Sequence, residues 1–95
     1  MKAQLVCFFS KVGRAAELHW LLESGGCDPD ARDDSGVSAL SYASECGHAA
    51  CVRELLHYGA DENTQDKGAT PLLLACMEGH LDVAEALLSI GAKRE

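Results

Sequence analysis

Several side chains of this chain could do chemistry, and their spacing decides how far each can go. Cys46, His48 and Cys51 form a compact Cys/His group of the kind that binds zinc. A structural zinc site closes with four ligands, and no fourth stands at a suitable distance along the chain. His48 also belongs to a Gly-His step that returns as Gly79-His80 with no cysteine beside it, which assigns it to the framework. Asp28-Pro29-Asp30-Ala31-Arg32-Asp33 places carboxylates much as a calcium loop does. Asp33, however, stands where the sharp-turn glycine belongs and Ala39 where the bidentate glutamate belongs, so the segment reads as a solvated turn. Ser44, Cys46 and His48 alternate on one short stretch, too close in sequence to converge on a substrate. There is no Gly-x-Ser-x-Gly elbow and no Gly-rich phosphate loop. His19 and His57 have no carboxylate partner that spacing alone can place. With no nucleophile, base and oxyanion set, the chain reads as non-catalytic, with no cofactor and no metal.

The elements that carry these residues repeat. Gly36-Val37-Ser38-Ala39-Leu40-Ser41-Tyr42-Ala43 aligns with Gly68-Ala69-Thr70-Pro71-Leu72-Leu73-Leu74-Ala75, and the register continues from Gly47-His48 to Gly79-His80 and from Leu55-Leu56 to Leu87-Leu88. Gly59-Ala60 and Gly91-Ala92 extend it, and Gly13-Arg14, Leu21-Leu22 and Gly25-Gly26 form a weaker preceding copy. A period of about 33 residues marks a solenoid. Within one unit, Asp33-Asp34-Ser35-Gly36 is a turn, Ser38 and Thr70 can cap the helices that follow, and Pro71 suits a first helical position. Leu40, Ala43 and Ser44 share a face. Gly47 stops this helix, and a second runs over about residues 49–57 with Cys51, Val52, Leu55 and Leu56 inward. Residues 60–68 read as a turn-rich hairpin. Such short helices are marginal alone and must lean on their neighbours. Ala43 and Ala75 let adjacent helices approach closely.

At 95 residues the chain is at most one cooperative unit, expected to bury about 60–65% of its unfolded surface. Fifteen acidic against eight basic side chains leave a formal charge of -7. That balance argues against nucleic-acid and anionic-membrane partners, since phosphate binding needs clustered Lys and Arg and the longest cluster here is Lys93-Arg94. No stretch reaches the roughly 20 apolar residues of a membrane span. Residues 1–10 lack the length and cleavage site of a signal peptide and suit a first helix. Five cysteines (Cys7, Cys27, Cys46, Cys51, Cys76) make no disulfide framework. Cys51 and Cys76 read as small buried residues, and a reducing, intracellular compartment is expected, cytoplasmic or nuclear.

Together, Thr70-Pro71-Leu72, Ala75, Gly79-His80, Val83, Leu87-Leu88 and Gly91-Ala92 resemble the ankyrin repeat signature. The resemblance covers nearly the whole chain as one domain, 1–95, with repeats at about 3–34, 35–66 and 67–95. It implies an all-α solenoid of about three stacked helix-turn-helix units, each carrying a β-turn or hairpin finger. The chain departs from the family in several places. Ser41 and Leu73 replace the histidine that normally ties neighbouring repeats, so weaker tethering is expected. The first connector, 25–36, has one residue more than usual and the second, 59–68, one fewer, so the two fingers should differ in shape. Phe8, Phe9 and Trp20 lie near one end, and Leu73, Leu74 and Ile90 near the other. The phenylalanines are expected to be partly buried within their own repeat.

The resemblance further implies a protein-binding module that uses the finger tips and the concave face of the first helices. Carried over position by position, that surface is Lys11 and Val12 from repeat one and Arg32, Asp34, Ser35, Val37, Glu45 and Cys46 from repeat two. Repeat three adds Gln65, Lys67, Ala69, Met77 and Glu78. Val37 and Met77 are the candidate apolar anchors. Asp28, Asp30, Asp33, Asp34, Asp61, Glu62 and Asp66 crowd the connectors, so a partner with a basic patch and salt-sensitive association is expected. The other reading is a structural spacer within a larger polypeptide, monomeric or weakly self-associating through its apolar ends. Asn63, with Leu55 eight residues earlier, resembles substrates of the ankyrin-directed asparaginyl hydroxylase.

Overall fold

The computed structural model describes the backbone of residues 2–94 and the side chains of residues 2–90; the basic Lys93-Arg94 side chains lie outside the described residues. Six helices follow one another: α1 (Lys2–Val12), α2 (Ala15–Glu23), α3 (Ala39–Cys46), α4 (Ala49–His57), α5 (Pro71–Met77) and α6 (Leu81–Arg94). They form three helical hairpins. The first helices α1, α3 and α5 pack side by side in one row, and α2, α4 and α6 in a second.

The local causes are those expected from sequence. Ser38 Oγ accepts the Ser41 amide at 3.2 Å, and Thr70 Oγ1 accepts that of Leu73 at 3.3 Å. Each cap satisfies one of the amides that a helix start leaves open. Pro71 opens α5. Gly47 ends α3 at φ +81°, a left-handed conformation that only glycine adopts without strain. Gly59 likewise closes α4, whereas α6 runs on past its register partner Gly91 to Arg94. A lone glycine costs a helix only about 1 kcal/mol, so its identity alone does not end one.

Neither finger contains a continuous strand among the described residues. Finger one closes through a bridge between Arg32 and Ser38, and finger two through a bridge between Asp66 and Ala69. Asp66 and Ala69 exchange both backbone hydrogen bonds, at 2.9 and 3.0 Å. Lys67 and Gly68 between them both have positive φ, +53° and +82°. That makes finger two a tight two-residue hairpin with the type I′ pattern, and the wider first finger differs from it as its extra length predicts.

The core runs through all three units. Val6, Leu18, Leu40, Val52, Leu55 and Val83 are fully buried, and so are Ala39, Ala43 and Ala75, where the first helices meet. Cys51 is buried as expected, but Cys76 is exposed. Its register partners Ser10 and Ser44 are fully covered, because each faces the next unit, and no described residue packs beyond Cys76. Phe9 packs on the core, whereas Phe8 is 55% exposed, against the expectation for both phenylalanines. Phe8 occupies the register of Tyr42 and Leu74, which face the preceding unit. Among the described residues no unit stands on that side of Phe8.

Candidate functional site

The expected surface is built from the last turns of the first helices and from the fingers. Lys11 and Val12 close α1, Glu45 and Cys46 close α3, and Met77 and Glu78 lie at the end of α5, all of them exposed. Asp34 and Ser35 form the exposed tip of finger one; Gln65 and Lys67 are exposed in finger two. Val37 and Ala69 are only half-exposed. Val37 also has a structural job, since its carbonyl accepts the Asp33 amide and lies 3.7 Å from the donating Cys7 thiol.

Lys11, Asp34 and Ser35 come together around one groove of about 260 Å³ between α1 and finger one. Gln4, Cys7, Phe8, Asp33 and Tyr42 complete its walls. Gln4 Nε2 donates to Asp34 Oδ2 at 2.9 Å, and Lys11 Nζ lies 5.6 Å above the Tyr42 ring. The Tyr42 hydroxyl donates to Asp33 Oδ2. That bond holds the Asp33 carboxyl below the ordinary carboxylate range and pushes Tyr42 up to about 12. The same carboxylate accepts the Ser35 and Val37 amides at 3.0 and 3.1 Å, so one side chain shapes the finger and fixes the groove wall. Tyr42 and Gln4 escaped the sequence reading. The signal available was Tyr42 itself, an aromatic hydroxyl where the next unit has Leu74.

Arg32 is exposed but engaged. Its guanidinium donates to Gly36 O at 2.8 Å, to Thr64 Oγ1 at 2.6 Å and to Gln65 O at 3.3 Å, which ties finger one to finger two. Asp30 Oδ1 adds a second tie by accepting the Asp61 amide at 2.6 Å. Asn63 is exposed beside it, its amide held by Asp61 Oδ1 at 2.9 Å.

Neighbouring units are tied elsewhere too. His48 Nε2 donates to the Lys11 carbonyl at 3.1 Å, and His80 Nε2 to the Glu45 carbonyl at 3.0 Å. Each ring lies against the preceding glycine: a Cβ on Gly13 or Gly47 would come within 2.7 Å of it. The Gly-His step thus supplies a tether between units at a position other than Ser41 and Leu73.

The opposite face carries a larger groove of about 620 Å³, lined by His19, Arg53, Glu54, His57, Glu85 and Ile90 among others. Contrary to the sequence reading, His19 has two carboxylate partners. Its Nε2 lies 2.6 Å from Glu23 and its Nδ1 2.8 Å from Glu54 on the next unit. The Glu54 hydrogen bond raises the imidazole above its ordinary value, and the charges of both glutamates add to it. Among the described residues, no group of three or more His, Cys, Asp or Glu is placed to hold a metal ion.

Comparison with known proteins matches residues 7–94 to the family model for ankyrin repeats in three copies. The chain is 45% identical over 62 residues to protein phosphatase 1 regulatory subunit 27 of Homo sapiens, covering 64% of this chain and 40% of that protein. It is 46% identical over 63 residues to ankyrin repeat domain-containing protein 29 of Danio rerio, covering 66% and 21%. It is 38% identical over 86 residues to 26S proteasome non-ATPase regulatory subunit 10 of Dictyostelium discoideum, covering 88% and 37%. The chain therefore spans well under half the length of these relatives. With three stacked helical hairpins, glycine-histidine steps and a family match over nearly all of its residues, the chain belongs to the ankyrin repeat family.

Proposed function

We propose that this protein is a non-catalytic module that binds a partner protein through its finger tips and the open side of its first helices. The carrying observation is the groove at Lys11, Asp34 and Ser35, where charged side chains surround the exposed ring of Phe8. Val12 at 45% exposure and Met77 at 66% extend the apolar surface along the row of first helices. Apolar anchors ringed by polar groups are the usual composition of a binding hot spot. Asp28, Asp30, Asp34 and Asp61 are all exposed on the fingers, so the complementary partner presents a basic patch. Two of the relatives are named as regulatory subunits, of a phosphatase and of a proteasome, which supports a protein as the partner class. Five cysteines without a disulfide suit a reducing, intracellular setting.

The test is affinity capture from lysate with the native chain and an Asp34→Lys, Met77→Arg variant, both positions being exposed and the fold checked by circular dichroism. Proteins retained by the native chain and lost by the variant, with retention weakening as salt rises, support the reading. Identical lists refute it.

A further inference from the structure

We propose, on the reading that this surface binds a protein, that the groove between α1 and finger one is a pocket for one arginine side chain of the partner, occupied by Lys11 in the free chain. The groove lies at the internal joint between units one and two and is walled by both. Its volume of about 260 Å³ is below the roughly 300 Å³ at which pockets for drug-sized ligands begin, which suits a single long side chain. A cation already stands in it. Lys11 Nζ lies 5.6 Å above the Tyr42 ring and makes no ion pair with a carboxylate among the described residues.

The parts are specific to this joint. A framework contact recurs, as the glycine-histidine step does at both joints. At the second joint the register partners of Tyr42, Asp33 and Lys11 are Leu74, Gln65 and Glu45, so none of the three groups is repeated in place. Asp33 fixes the geometry. Its Oδ1 accepts the Ser35 and Val37 amides and its Oδ2 the Tyr42 hydroxyl, which pins the ring where Lys11 meets its face. Asp34 keeps an open oxygen: its Oδ2 accepts the Gln4 side-chain amide at 2.9 Å, and its Oδ1 accepts nothing among the described residues.

Arginine suits this set better than lysine does. Its planar guanidinium stacks on a ring face and keeps a fork of donors at its edge, whereas an ammonium is a compact point charge. Stacked on Tyr42 in place of Lys11, the guanidinium presents that edge to the open oxygen of Asp34, which lines the same groove. With Lys11 displaced, the groove keeps two carboxylates, Asp33 and Asp34, and no cation. The contact that Lys11 gives up is an exposed one and therefore weak. It yields to a ligand that adds a charge-assisted hydrogen bond.

The probe is Nα-acetyl-argininamide, titrated into the native chain while backbone amide shifts are followed by NMR. Shifts at Phe8, Asp34, Ser35 and Tyr42 should saturate together with a Kd of about 1–10 mM, and Nα-acetyl-lysinamide should bind about threefold more weakly. Lys11→Met should tighten the arginine probe about two- to fivefold, because the competing cation is gone. Tyr42→Phe keeps the ring face and should retain the site, whereas Tyr42→Leu, the residue unit three carries there, should weaken it about fivefold or more. Asp34→Asn, at an exposed position, should weaken it by a similar factor and replaces Tyr42→Leu if that chain fails to fold by circular dichroism. No saturable shift in the groove, equal affinity for the two probes, a weaker site in Lys11→Met, or an undiminished one in Asp34→Asn would overturn the proposal. Lysate capture separates the two failures. A partner held equally by the native and Asp34→Asn chains overturns the arginine pocket alone; identical lists for the native chain and the Asp34→Lys, Met77→Arg variant overturn the protein-binding reading and the pocket with it.

Discussion

Gly47→Ala isolates the worth of the glycine-histidine joint. An alanine there must hold φ near +81°, which costs an L-residue about 1–2 kcal/mol. Its Cβ would also stand 2.7 Å from the Nδ1 and Cε1 of His80, so the ring must leave and its hydrogen bond to the Glu45 carbonyl is lost. Such a bond contributes about 1 kcal/mol net. Gly79→Ala is the internal control: φ is +75° and no atom lies within 4 Å, so backbone strain acts alone. The change in unfolded-chain entropy is common to both substitutions and cancels in the comparison. Gly47→Ala should therefore destabilise by about 1 kcal/mol more than Gly79→Ala, roughly 4–8 °C in Tm for a domain of this size. Urea unfolding followed by circular dichroism, at one protein concentration, reads the difference. In a His80→Ala background the excess should vanish, leaving a coupling of about 1 kcal/mol. Equal losses for the two glycines, or no coupling to His80, would refute the argument.

Further consequences follow from burial and charge. Leu55→Ala removes a fully buried side chain and should cost about 2–5 kcal/mol by urea unfolding, against less than about 0.5 for exposed Leu81→Ala. Ser44 Oγ is buried with no hydrogen-bond partner among the described residues, whereas its register partner Ser10 donates to Val6 O at 2.7 Å; Ser44→Ala should be neutral or stabilising by up to about 1 kcal/mol, and Ser10→Ala should not stabilise. Because the imidazole of His19 is raised in the folded chain, its contribution is complete below the ordinary value of 6.5 and is lost as pH rises through the higher folded value. The urea midpoint should fall across that window, and Glu54→Gln should flatten the fall; an unchanged slope would count against the bridge. Thiol labelling should modify exposed Cys46 and Cys76 first and reach Cys7, Cys27 and Cys51 only on unfolding, since burial holds Cys7 and Cys51 at about 11. Incubation with the ankyrin-directed asparaginyl hydroxylase should add the mass of one oxygen, lost in Asn63→Ala; no gain in the native chain would remove Asn63 as a substrate.

What the sequence determined by itself was the repeating unit. Caps at Ser38 and Thr70, the proline at the head of α5, the glycine that ends α3 and the inward run Cys51, Val52, Leu55, Leu56 are local matters of backbone geometry and helical period, and all were legible. The contacts that make units into a molecule were not. His19 meets Glu54 across 35 residues, His48 meets the Lys11 carbonyl across 37, and Arg32 reaches Thr64 across 32. Those pairings depend on the offset and rotation with which one hairpin stacks on the next, and a period in the sequence carries neither. Burial shows the same division. Ser44 and Cys76 hold one register position, yet one is covered and the other exposed. A repeat pattern assigns a residue its place within a unit, but only the stacked structure decides whether a neighbour is there to cover it.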